Sequence, residues 1–164
     1  MALIIEDGSI VANANSYVTD AEALVIADNL SIDLPSDPAE REKALKQGTW
    51  YIQGKCFKGD YVEALQPVAF PRSNMYINGF EFPNDDIPVQ VKNAQVAAAS
   101  GYFLGANTAV VNDGKEIKKE KIDVLVVEYF ENGKTSSGDK ITFADQWLQG
   151  LTCGRGSFLR VVRC

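Results

Sequence analysis

The chain has 164 residues, 46% hydrophobic and 23% charged, with 22 acids against 16 bases and no histidine. A chain of this length buries roughly 70% of its unfolded surface, and the composition is that of a globular protein, not a disordered one. The formal charge of −6 gives no overall attraction to nucleic acid or anionic lipid, although it leaves room for a local basic patch, and the lack of histidine removes Ser-His-Asp triads, Cys-His pairs and His-ligated metal sites.

The opening predicts a small hairpin, with Leu3-Ile4-Ile5 and Ile10-Val11 flanking Glu6-Asp7-Gly8-Ser9, because Asp-Gly suits a tight primed turn. Thr19-Asp20-Ala21-Glu22 fits a capping box opening a helix over 20–29, with Ala23, Leu24, Ala27 and Leu30 on one face. Asp37-Pro38 starts a second helix, the Asp as cap and the Pro at the first helical position. It runs to Gln53, turns Ala44, Leu45, Thr49 and Ile52 inward and ends at Gly54. Residues 54–87, with Pro67, Pro71, Pro83, Gly59 and Gly79, read as a long irregular loop exposing Phe57, Tyr61, Phe70, Tyr76, Phe80 and Phe82. Connections of that length usually carry a function.

A third helix spans 88–104, with Val91, Ala94, Ala98 and Tyr102 in one stripe. Residues 115–121 form a charged connector, 123–130 a strand by β-branched and aromatic content, and 133–140 a polar loop. Thr142 caps a last short helix reaching Leu151, and Gly154-Arg155-Gly156 hinges a strand-like end, 157–164. The expected fold is mainly α. It is a small helical bundle with an N-terminal hairpin, the long loop and a short β element in a domain of residues 1–152, and an extended C-terminal arm, 153–164.

Few residues suggest chemistry. Gly154-x-Gly156 lacks the third glycine and the following helix of a phosphate loop, so it reads as a linker. Asp85-Asp86 suits a helix N-terminus better than a cation site, which needs more oxygen ligands. Cys56, Cys153 and Cys164 are odd in number and never spaced C-x-x-C, which predicts reduced thiols and no zinc site. No catalytic residue, metal or cofactor is expected. Nor is a membrane span, since residues 96–111 are short and broken by polar and glycine residues, and the first seven residues lack the basic region of a signal peptide. The last twelve residues hold Arg155, Arg160 and Arg163 and no acid, a basic strand on an acidic body.

Taken in order, Asn15-Ser16-Tyr17-Val18-Thr19, Trp50-Tyr51-Ile52, Phe57-Lys58-Gly59, Gln66-Pro67-Val68-Ala69-Phe70-Pro71-Arg72, Ile87-Pro88-Val89-Gln90-Val91, Ile117-Lys118-Lys119-Glu120-Lys121-Ile122 and Leu159-Arg160-Val161-Val162-Arg163 resemble a family of tailed-phage proteins. Its members carry the label DnaT-like single-stranded DNA-binding protein and also resemble head–tail connectors. Where relatives have Trp-Pro-Arg, this chain has Phe70-Pro71-Arg72. The resemblance implies a helical adaptor in the virion neck, assembled in the host cytoplasm. It would form a ring of twelve copies between the portal and the next neck or tail-completion protein, with genomic DNA passing through unbound. Phe70, Arg72, Phe158, Leu159, Arg160, Val161, Val162 and Arg163 are the expected partner contacts. A single-stranded DNA binder needs a basic, aromatic-lined track, so the acidic composition favours the connector and weak DNA binding. A DNA-binding replication accessory is the alternative, and an enzyme is a distant third.

Overall fold

Capping side chains start the first two helices where the sequence places them. In the computed structural model, which describes residues 2–105, 120–122, 125–127 and 142–153, Thr19 caps α1 (Asp20–Leu30). Its hydroxyl accepts from Glu22 N, and the Glu22 carboxylate accepts from Thr19 N at 2.8 Å. That backbone hydrogen bond holds the Glu22 carboxyl below its usual range. Asp37 caps α2 (Pro38–Gln53) through Glu40 N at 3.0 Å, with Pro38 at the first turn. Ala44, Leu45, Thr49 and Ile52 are buried as expected, joined by Arg41 and Gly48. On α1, Ala23 and Ala27 face inward while Leu24 is largely exposed.

The third helix, α3 (Val89–Phe103), is buried far beyond its expected stripe, from Ala94 to Ser100 without a break. It lies at the centre, packed against α2, α1 and α4 (Thr142–Leu148). Gly48 lets α2 approach: a methyl group there would stand 2.4 Å from the Gln95 carbonyl oxygen. Beside it the fully buried Gln95 side chain donates to Ser16 Oγ at 2.8 Å and to the Leu45 carbonyl at 3.1 Å, and accepts from Tyr17 N at 2.9 Å. One amide thus fastens the N-terminal segment and α2 to α3.

The N-terminal hairpin does not form. Glu6 is buried, and its carboxylate accepts from the backbone of Gly8, Ile10 and Val11, each at 2.9 Å. A side chain therefore satisfies the donors that a second strand would have paired, and Ile5 instead bridges Ser16 in parallel. Gly8 has φ +109 and sits against the Asp85 backbone, where a side chain would clash.

The long loop is partly structured. Strand β1 (Asp60–Tyr61) pairs antiparallel with β2 (Arg72–Ser73), and β3 (Tyr76–Ile77) with β4 (Phe80–Glu81). Asn78 and Gly79, both at positive φ, make the turn of the second pair, as a two-residue primed hairpin requires. Phe57 and Phe70 point inward, edge-to-face at 4.9 Å, with Tyr17 edge-on to Phe70 at 6.3 Å. Burial raises the Tyr17 phenol well above its ordinary value. Phe82 is half-buried against the same core.

The strand expected at 123–130 appears as β6 (Leu125–Val127), paired antiparallel with β5 (Glu120–Ile122). The other residues of that stretch, and 154–164 of the expected arm, lie outside the described residues. The expectation of three reduced thiols is corrected by a disulfide between Cys56 and Cys153, with Cα atoms 5.4 Å apart. Backbone pairing brings them together: Cys153 N donates to Cys56 O and Lys58 N to Leu151 O, both at 2.9 Å, around a Phe57–Thr152 bridge. Tyr51, Lys55 and Asp145 clamp α4 beside it. Tyr51 Oη donates to Asp145 Oδ1 at 2.8 Å, and Lys55 Nζ lies 2.7 Å from the same oxygen. Burial, then the bond to Asp145, raises the Tyr51 phenol.

Two stability outcomes follow from this packing. Gly48→Ala should cost roughly 1–3 kcal/mol by overpacking, read as a lower urea midpoint with unchanged m. Cys56→Ser, which opens a loop of sequence separation 97, should cost up to about 4–5 kcal/mol in the chain-entropy account, and the oxidised wild type should lose the same increment on reduction. Equal melting of reduced and oxidised protein would show that the bond adds nothing.

Candidate nucleic-acid interface

With Ala44, Leu45, Thr49 and Ile52 turned inward, helical geometry puts Lys43, Lys46 and Trp50 on the outer face of α2. Together with Ala39, Glu42 and Gln47 they line a shallow groove of about 300 Å³. Trp50 is 76% exposed, a large ring left in water by a fold that buries Tyr17, Phe57 and Phe70. Lys46 Nζ lies 3.8 Å from Glu42 Oε2. Two lysines, one glutamate, an amide and an indole therefore share one face.

Arg41, Lys55 and Lys58 are held in contacts within the fold. Arg41 is buried, its Nη2 2.7 Å from Asp20 Oδ2 and its Nη1 on the Pro35 and Ser36 carbonyls. The hydrogen bond from Arg41 lowers the Asp20 pKa. Lys55 holds Asp145, and Lys58 Nζ donates to the Gly150 carbonyl at 2.7 Å. Lys92 is half-buried on α3.

Phe70 and Arg72, expected as partner contacts, are both buried. Arg72 donates to the carbonyls of Lys58, Gly59, Ala69 and Phe57 and covers the Tyr61 ring at 4.5 Å. A buried guanidinium needs such acceptors, so Arg72 is the internal brace of the loop, and Phe70 is its plug. Phe158, Leu159, Arg160, Val161, Val162 and Arg163 lie outside the described residues.

What the loop does present is Tyr61, Tyr76 and Phe80, the last 79% exposed. Tyr61 lies under Arg72, but the setting of Tyr76 and Phe80 is acidic and uncharged-polar: Glu81 stands opposite Tyr76, and the adjacent groove is lined by Ser73, Asn74, Glu81, Phe82, Pro83 and Asn84. Asp60 bonds Asn74 at its edge. No lysine or arginine lines that groove, so it would repel phosphates, whereas the α2 face joins cations to a stacking ring. Sequence reasoning passed over Trp50. The signal was available, because the inward positions of α2 leave 43, 46 and 50 on the opposite face.

Among the described residues no group of three or more His, Cys, Asp or Glu is arranged to hold a metal, and no helix is long and apolar enough to cross a membrane.

Residues 1–164 match the family described as "Putative DnaT-like ssDNA binding protein". No curated protein and no solved structure matches the chain. The match overturns the expectation of a head–tail connector: the family it identifies is described by single-stranded DNA binding. The overall charge of −6 is a sum over the whole chain and does not describe the α2 face by itself.

The exposure of Trp50 is directly measurable. Iodide or acrylamide should quench most of its fluorescence, while the half-buried Trp147 is protected. Trp50→Phe should therefore remove most of the quenchable emission with the melting temperature unchanged.

Proposed function

We propose that this chain, which belongs to the DnaT-like ssDNA-binding family, binds single-stranded DNA on the outer face of α2. The observation that carries this reading is the exposed Trp50 ring in a groove with Lys43 and Lys46. Every base has a π face, so an exposed indole stacks bases without regard to sequence. Lysines a turn or two away along the helix sit where the sugar-phosphate backbone of a stacked strand passes. The proposal is for a binding protein, not an enzyme. It rests on the absence of histidine and on a groove that holds one carboxylate, an amide and two amines, with no nucleophile activated by a base.

The acidity of the remaining surface keeps the interaction local. Phosphates are attracted over the α2 face and repelled by the β3–β4 side, so a strand is confined to a short track. Two lysine contacts predict modest affinity and a shallow salt dependence, with a slope of log K on log salt of about −1.4 at roughly −0.7 per phosphate.

Fluorescence anisotropy with a labelled mixed-sequence 20-mer tests this. Trp50→Ala should weaken binding by at least about fivefold, since one stacked base contributes about 1–3 kcal/mol. Lys43→Ala with Lys46→Ala should flatten the salt slope by about 1.4. Unchanged binding in both variants, with wild-type binding intact, would move the interface elsewhere.

A further inference from the structure

We infer that Glu42 biases this groove against thymine, an inference that rests on reading the α2 face as the strand-binding surface. At about 100° per residue, Ala39, Lys43, Lys46 and Trp50 run in one stripe along α2, with Glu42 and Gln47 on opposite flanks. All six line the groove. Gln47 is about 4.5 Å below Trp50 along the helix axis at 1.5 Å per residue, within side-chain reach of a base stacked on the indole. Glu42 is about 12 Å below Trp50 at 1.5 Å per residue, beside the next nucleotides toward the helix N-terminus.

The two flanking groups ask different things of a base. An amide offers both a donor and an acceptor, and every base edge presents such a pair, so Gln47 adds contact without preference. A carboxylate only accepts. Cytosine and adenine offer it an exocyclic amino group, and guanine offers two N–H donors side by side. Thymine offers one N–H between two carbonyl oxygens, which face the carboxylate unfavourably. A glutamate in a phosphate-binding groove otherwise only weakens binding. Its pairing with Lys46 at 3.8 Å leaves further acceptor positions on the carboxylate, since it can accept about four hydrogen bonds.

The test compares twelve-nucleotide oligo-dC and oligo-dT, both pyrimidine strands, by anisotropy at one salt concentration with wild type, Glu42→Gln and Trp50→Ala. Wild type should hold oligo-dC about fivefold more tightly than oligo-dT, the low end of base-edge discrimination. Glu42→Gln keeps the shape, removes a negative charge and supplies a donor. It should tighten oligo-dT most and bring the ratio close to one, with the melting temperature unchanged. Trp50→Ala should weaken both strands while the ratio survives. Equal wild-type affinities, or a preference that persists in Glu42→Gln, would overturn the role of Glu42 and leave the α2 interface standing. Binding insensitive to Trp50→Ala would remove the interface, and this inference with it.

Discussion

The Gln95 side-chain amide is the fixed point of this fold. It is fully buried at the middle of α3 and its three hydrogen bonds reach Ser16, Tyr17 and Leu45. A buried amide left without partners costs about 1–3 kcal/mol, so the N-terminal segment and α2 must arrive in one register for the core to close. The register has a further condition. The Gln95 carbonyl oxygen lies only 2.4 Å from where a β-carbon on residue 48 would be, so glycine suits the helix spacing that the amide demands. Once α2 is seated this way, its inward positions are decided, and the outward Trp50, Lys43 and Lys46 are decided with them.

That chain of dependence explains how much was legible beforehand. The starts of α1 and α2 were readable because Thr19 with Glu22 and Asp37 with Pro38 act within one turn, through groups adjacent in sequence. Long-range partners were not. Gln95 reads as a polar residue on an amphipathic helix until a second helix and the N-terminal segment are placed against it. Glu6 and Arg72 misled in the same way: a charged residue in a loop suggests the surface, yet each is buried by backbone groups of its own neighbourhood, Glu6 by amides and Arg72 by carbonyls. The Cys56–Cys153 bond joins residues with a sequence separation of 97, and no spacing rule reaches that far.

The proposed interface was passed over for a different reason. Net charge is a property of the whole chain, while binding is decided over the few residues a ligand touches. Here the fold draws Arg41, Arg72, Lys55 and Lys58 into internal contacts. On α2, Lys43 and the Glu42-paired Lys46 stand beside an exposed indole, while Glu81 and Asp60 stand on the loop strands. Averaging over that separation hides it. The placement of Trp50 required only the assignment of inward positions on one helix.

The disulfide has a mechanical consequence. Because Cys56 and Cys153 are covalently joined, a force pulling on the two ends of the chain acts across the bond and bypasses everything between them. Residues 57–152 include α3, α4 and the loop strands, a contour of roughly 300–350 Å at about 3.3–3.6 Å per residue, and that length is withheld from any extension while the sulfurs remain linked. Only α1, α2 and the outer segments can be drawn out. The face carrying Trp50 therefore belongs to the part of the molecule that tension can reach, and the helix it packs against belongs to the part that tension cannot.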